Sequence, residues 1–139
     1  ARLAHAEMSV GAVKGVEIGD GFEAAKAVGS VNNDDFCRNA DGTIGKRTNH
    51  SGGILGGMSD GSPVVLRAAF KPTPSISRPQ QTVNRAGEEV ETVIKGRHDP
   101  IIVPRAVVVV ETMAAFTAAD LMLQNAVAKL DNVRKVYER

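Results

Sequence analysis

Pro63-Val64-Val65-Leu66-Arg67-Ala68-Ala69-Phe70-Lys71-Pro72-Thr73-Pro74-Ser75 is the stretch whose reading decides the fold. Val64, Leu66, Ala68 and Phe70 alternate with Val65, Arg67, Ala69 and Lys71, the period of two that places one set on each face of a strand. Pro72 and Pro74 then fix φ twice and remove two backbone donors, so the strand stops in a stiff connection. Further along, Glu89 to Lys95 alternates again, and Gly96-Arg97-His98-Asp99-Pro100 ends it. The 63–71 and 89–95 strands are expected to pair as an antiparallel hairpin. Pro104 suits the first turn of a helix, and one helix is expected from about 104 to 129. Its first half reads as almost wholly buried, with Thr117, Asp120 and Gln124 as a polar stripe. Residues 130–139 read as a charged, solvated tail.

Working toward the N-terminus, residues 30–62 lose helical periodicity. Asn32, Asn33, Asp34, Asp35, Asn39, Asp41 and Gly42 are turn and loop formers. Five of the fourteen glycines fall between Ser51 and Gly61, and a long loop of this kind tends to be functional. Glycine at that density either permits positive φ or lets the backbone approach a ligand closely. Phe22 to Val28 reads as a short helix closed by Gly29, Lys14 to Ile18 as a strand, and the Ala-rich residues 1–12 as helical. The class is α/β or α+β, with helices packed against antiparallel sheet in a single unit spanning 1–139.

A chain of 139 residues is about one domain and can bury roughly two-thirds of its unfolded surface. Its 42% hydrophobic and 24% charged residues argue against wholesale disorder. A net charge of +1 excludes a general polycation for nucleic acid or membrane surfaces. The lone Cys37 excludes an intrachain disulfide framework and fits a reducing compartment. No apolar run approaches the roughly 20 residues of a membrane span; the longest is Ala106 to Val110. The chain opens at Ala1 without a charged leader, in what reads as mid-helix, so a piece of a longer protein is expected.

Charge is uneven along the chain. Between Ile44 and Arg85 stand six bases (Lys46, Arg47, Arg67, Lys71, Arg78, Arg85) and one acid, Asp60. One reading is a mildly basic surface; the sharper one is an anion site. Loop N–H groups form concavities for phosphate or carboxylate oxygens, and Lys71 beside Thr73 and Ser75 supplies a cation and two hydroxyls on a stiff scaffold. Arg97 offers a planar fork for an oxyanion and Asp99 a carboxyl able to hold a proton, although Arg97-His98-Asp99-Pro100 also reads as an ordinary strand-end turn. His5 reads as a helix residue without a role, and His50 as a ligand contact or a solvated side chain. Phosphate loops, dinucleotide fingerprints, zinc spacings and serine-nucleophile elbows are missing. Five aromatics without basic interleaving supply little for nucleic-acid stacking.

The stretches His5-Ala6-Glu7-Met8-Ser9-Val10-Gly11-Ala12-Val13-Lys14-Gly15-Val16-Glu17-Ile18-Gly19-Asp20-Gly21-Phe22, Asn49-His50-Ser51-Gly52-Gly53-Ile54-Leu55-Gly56-Gly57-Met58-Ser59-Asp60-Gly61, Lys71-Pro72-Thr73-Pro74-Ser75 and Lys95-Gly96-Arg97-His98-Asp99-Pro100 resemble, in order and spacing, the C-terminal part of the chorismate synthase family. The resemblance implies a lyase that converts 5-enolpyruvylshikimate 3-phosphate to chorismate and phosphate by 1,4-elimination. It implies reduced FMN as cofactor, with NADPH serving indirectly to reduce the flavin. It also implies a sandwich of helices between sheets drawn from both parts of the chain, incomplete in this piece, and a homotetramer. Nucleic-acid and membrane partners are not implied. The compartment would be the cytoplasm, with a plastid left open. By motif, flavin contacts fall on Gly11, Ala12, Gly56, Lys71, Pro72, Thr73, Pro74, Ser75 and Arg97. Asp99 matches a family acid near the flavin ring that helps move the proton. The family's active-site histidines precede Ala1, so this piece alone is expected to be inactive. Beside this reading stand a non-catalytic FMN- or phosphate-binding module and a purely structural or assembly domain.

Overall fold

The computed structural model describes residues 1–138. Its elements are α1 (Arg2–Met8), β1 (Val13–Ile18), a 3-10 helix (Gly21–Lys26), β2 (Phe36–Arg38), β3 (Ile44–Lys46), β4 (Ile54–Leu55), β5 (Met58–Ser59), β6 (Leu66–Phe70), β7 (Gln80–Val83), β8 (Glu89–Thr92), α2 (Val103–Ala126) and α3 (Leu130–Tyr137). The strands form four two-stranded antiparallel ladders: β1 with β6, β2 with β3, β4 with β5, and β7 with β8. Helices and antiparallel ladders together give the expected mixed class.

The β1–β6 ladder is the organising feature. It pairs Val13 with Phe70 and Ile18 with Leu66, with a bulge between Val13 and Gly15. Two further bonds extend it. Lys71 N–H donates to the Ala12 carbonyl at 2.8 Å, and Gly19 N–H donates to the Val65 carbonyl at 3.0 Å. Helix α1 packs on both β1 and α2. Val13 is the one buried hydrophobic residue among the described residues.

Four expectations about strand pairing, the short helix, the loop and the tail are corrected. Strand 89–95 does not pair with 63–71; β8 pairs with β7 instead. The intervening turn explains this. The Asn84 side-chain oxygen accepts from Ala86 N–H and Glu88 N–H at 2.9 and 3.0 Å, and Gly87 takes φ 83°, so a local partner closes a short loop at little entropic cost. The expected helix at 22–28 is a 3-10 helix that leaves in extended backbone at Ala27, so Gly29 does not close it. The loop of 30–62 carries four short strands. The tail is exposed as expected but helical. Asp131 in the first turn of α3 and Arg134 and Lys135 in its last have the signs that suit the ends of a helix dipole. Arg139 lies outside the described residues.

The long helix forms as expected, with Pro104 in its first turn and 24 residues free of internal glycine. Thr112 and Thr117 donate their hydroxyls back to the carbonyls of Val108 and Met113 at 2.6 and 2.8 Å, so neither leaves a polar group unspent. Its expected burial is not found. Thr117 is its one buried residue, while Val107 and Val108 are 56% and 64% exposed. A helix apolar on every side needs cover on every side; α1 packs against it, and a groove of about 460 Å³ opens between it and the Leu66–Ala68–Phe70 face of β6. By length and composition α2 could also cross a membrane, which corrects the view that no segment reaches that length; Arg105, Glu111 and Asp120 interrupt it.

Candidate cofactor site

One end of the β1–β6 ladder gathers three of the residues singled out from sequence, Gly11, Ala12 and Lys71. Ala12 sits there with φ 68°, a left-handed conformation uncommon for a residue with a Cβ. Its carbonyl receives the Lys71 N–H at 2.8 Å. Gly11 lines a hollow of about 270 Å³ with Val10, Phe70, Ile102 and Arg105. Arg105, near the start of α2, donates to an Asp99 carboxylate oxygen at 3.3 Å. Gly11, Ala12 and Lys71 therefore meet at this end, and Arg105 ties the Asp99 turn to it.

The segment after Lys71 is stiff and underused. The Pro74 carbonyl accepts from the Gln80 side chain at 3.0 Å, which pins the twin-proline corner to β7. The Thr73 hydroxyl is buried with no partner in the protein. A buried hydroxyl left unpaired costs stability, and Ser51 Oγ is left unpaired in the same way. Ser75 is half-buried and Lys71 and Arg97 are exposed. Neither cation forms an ion pair among the described residues. His98 donates from Nε2 to the Ile94 carbonyl at 3.0 Å, holding the turn that carries Arg97 and Asp99. A free ammonium and, two residues on, an orphaned hydroxyl are groups that can receive an oxyanion; no hydrogen bond or ion pair among the described residues joins Arg97 to them.

Gly56 stands apart. It stems from the opposite end of the ladder, where Gly52 and Gly53 pack. Gly56 and Gly57, with φ 59° and 81°, are the two central residues between β4 and β5, as a tight hairpin requires. A Cβ on Gly56 would meet nothing within 4 Å, so its face is open to a ligand. Gly52 and Gly53 have another purpose. A Cβ on Gly52 would lie 2.3 Å from the Gly19 backbone nitrogen, and one on Gly53 2.6 Å from the Pro63 carbonyl oxygen. Their lack of side chains lets three stretches of backbone touch.

Asp34 is the residue that sequence reasoning missed. It is 7% exposed and adopts φ 54°. One carboxylate oxygen accepts from Thr48 Oγ1 and His50 N–H, both at 2.7 Å, and the other from Ser51 N–H at 2.8 Å. Burial alone would raise its pKa, but the bonds from Ser51, Thr48 and His50 outweigh that and hold the carboxyl well below the usual carboxylate range. The sequence offered only its place among turn formers, some fifteen residues from its donors. His50 is also resolved: its Nδ1 lies 2.6 Å from an Asp20 oxygen, which also accepts from Asn32 at 3.1 Å.

The basic segment divides in the same way. Lys46 forms a buried pair with Asp60, the segment's single acid, and that bond is the leading cause holding the Asp60 carboxyl below its ordinary value. Arg67 pairs with Glu17 at 3.2 Å and donates to the Gly19 carbonyl at 2.7 Å. Among the described residues Arg47, Lys71, Arg78 and Arg85 keep their charge unpaired.

Comparison with known proteins completes the description. Residues 1–123 match the family model described as chorismate synthase. The chain is 63% identical over 139 residues to the chorismate synthase of Lachnoclostridium phytofermentans, covering all of this chain and 38% of that protein. It is 60% identical over 124 residues to the chorismate synthase of Archaeoglobus fulgidus, covering 88% of this chain and 34% of that one. A solved structure described as a crystal structure of chorismate synthase superposes with a TM-score of 0.68 at 34% identity, over 99% of this chain and 34% of that one. The chain thus spans a little over a third of the length of these relatives.

Proposed function

The chain belongs to the chorismate synthase family, and from that premise we propose that it supplies the C-terminal part of an enzyme converting 5-enolpyruvylshikimate 3-phosphate to chorismate and phosphate. The reaction breaks a ring C–H bond and the C–O bond to phosphate, releasing a proton and phosphate without net redox change. Reduced FMN, when bound, supplies electron density to the substrate transiently and recovers it; NADPH serves only to reduce the flavin beforehand. The observation that carries the reading is the meeting of Gly11, Ala12 and Lys71 at one ladder end, beside a buried Thr73 hydroxyl with no protein partner.

Each residue then has a task. Lys71, Thr73 and Ser75 bind the flavin phosphate, and Pro72 and Pro74 hold them stiff. Backbone at Gly11, Ala12 and Gly56 borders the cofactor, with Gly56 open to close approach. Arg97 binds the flavin and lies close to the substrate. Asp99 holds or releases a proton at its carboxylate, oriented by Arg105. The exposed apolar sides of α2 are covered by the remainder of the polypeptide and by the other subunits of a homotetramer, rather than by lipid. Bacterial and archaeal relatives support a cytoplasmic location.

Mixing this chain with the segment that completes the enzyme, under reducing conditions with FMN and substrate, tests the proposal. Chorismate formation is expected from the mixture and from neither part alone. FMN binding without any chorismate would instead mark a non-catalytic module.

A further inference from the structure

The loop that leads into the Gly56–Gly57 turn is anchored on the buried carboxylate of Asp34, with Asp20 holding His50 from the other side. Asp34 receives three donors from it, Thr48 Oγ1, His50 N–H and Ser51 N–H, at 2.7 to 2.8 Å. From there the restraint is continuous. The Asn49 side-chain oxygen accepts from Gly53 N–H at 2.8 Å while its Nδ2 donates to the Pro63 carbonyl at 2.8 Å. The Gly53 carbonyl accepts from Asp60 N–H at 3.1 Å, closing the base of the β4–β5 hairpin that ends in Gly56–Gly57. Gly52 lies so close to Gly19 that no side chain fits between them. An added Cβ on Gly56 or Gly57 would meet nothing within 4 Å, so the position of the hairpin tip is set from its base.

We infer that Asp34 is a positioning residue for the cofactor, acting through the Thr48–Gly53 loop to fix where the Gly56 backbone stands. The inference rests on the proposed flavin role of Gly56. Its chemistry is specific to a carboxylate. Two backbone N–H groups and a hydroxyl converge on it, and only the hydroxyl can reverse its direction. An asparagine would keep the shape and tolerate the left-handed backbone. Its amide nitrogen, however, would face a main-chain donor, losing one bond outright and the charge assistance of the others.

Asp34→Asn in the full-length enzyme is the test, read by FMN titration and by hydrogen exchange of backbone amides. Amides at His50, Ser51 and Gly53 are expected to exchange faster while those of β1 and β6 keep their protection, and the FMN Kd is expected to rise about tenfold, the size of one lost charge-assisted bond. A merely structural role would loosen the ladder as well and leave the affinity of the folded fraction unmoved. If Asp34→Asn does not fold, Thr48→Val removes one donor only and is expected to raise the Kd roughly threefold. Lys71→Ala is the companion variant. An unchanged Kd in the Asp34 or Thr48 variant, with Lys71→Ala still weakening FMN, overturns the inference and leaves the site reading standing. An unchanged Kd in Lys71→Ala as well overturns both.

Discussion

The loop knotted around Asp34 and the helix α2 are held in opposite ways. In the knot, a nearly buried carboxylate, a His50–Asp20 pair and three close backbone approaches hold one another between residues 19 and 65. In α2, valines lie 56% and 64% exposed, and its polar tether at the N-terminal end is an exposed Arg105–Asp99 pair. The difference separates two kinds of order. Polar groups and glycines can be satisfied locally because each bond needs one partner at one distance. Apolar area is satisfied only by other apolar area, and a chain spanning a third of its relatives does not carry enough to cover a helix of seven turns.

The sharpest way to break the knot is Gly52→Ala. The added methyl would lie 2.3 and 2.5 Å from backbone atoms of Gly19, which cannot swing aside as a flexible side chain would, and Gly52 has φ 63°. A loss of about 3 kcal/mol or more in unfolding free energy is expected, measurable as a fall in denaturant midpoint. Gly56→Ala, with open space around it, should cost far less. Equal losses at the two positions would remove the distinction between a packing glycine and a turn glycine.

The same contrast accounts for what could be read in advance. The strands β1 and β6 were legible because period-two alternation and the twin prolines are local signals. Their pairing was not, since the Asn84–Gly87 turn captures β8 for β7 and leaves β6 free for β1. Strands of two or three residues, β2 to β5, are too short to show a period. The helix at 103–126 was legible from its composition, but composition says only that it needs cover, never which part of a longer protein provides it. Of the residues marked by motif, Gly11, Ala12 and Lys71 meet at one ladder end and Asp99 pairs with Arg105 beside it, whereas Gly56 lies at the other end. Asp34 was not, because its meaning lies in donors 14 to 17 residues away and no spacing in the sequence marks them.

The helical half has its own weak point at Glu7. This α1 residue is fully buried, and neither carboxylate oxygen has a partner. Burial pushes its carboxyl above the ordinary 4.5. The sign follows from linkage: as pH rises the unfolded chain releases this proton first, so the stability tied to Glu7 is full below about 4.5 and is lost as pH climbs through the higher folded value. Glu7→Gln should flatten that slope. Glu7→Met, similar in size and free of polar oxygens, should stabilise the fold by about 1–2 kcal/mol at neutral pH, seen as a rise in Tm. A drop in Tm with Met would mean that the carboxylate bonds a group supplied by the rest of the enzyme, which would extend the polar kind of order into the apolar half.

The smallest effect belongs to Arg105. Its side chain is 81% exposed and that of Asp99 53%, so solvent screens the pair and its contribution to stability should be under about 0.5 kcal/mol. Arg105→Gln is therefore expected to leave the denaturant midpoint almost unmoved while lowering turnover in the full-length enzyme severalfold, as the proposed role of Asp99 requires. The two readouts separate what the exposed tether does for folding from what it does for the site. A variant that lost stability and turnover together would show that α2 leans on this pair for its place, and that the two halves of the molecule are less different than their burial makes them.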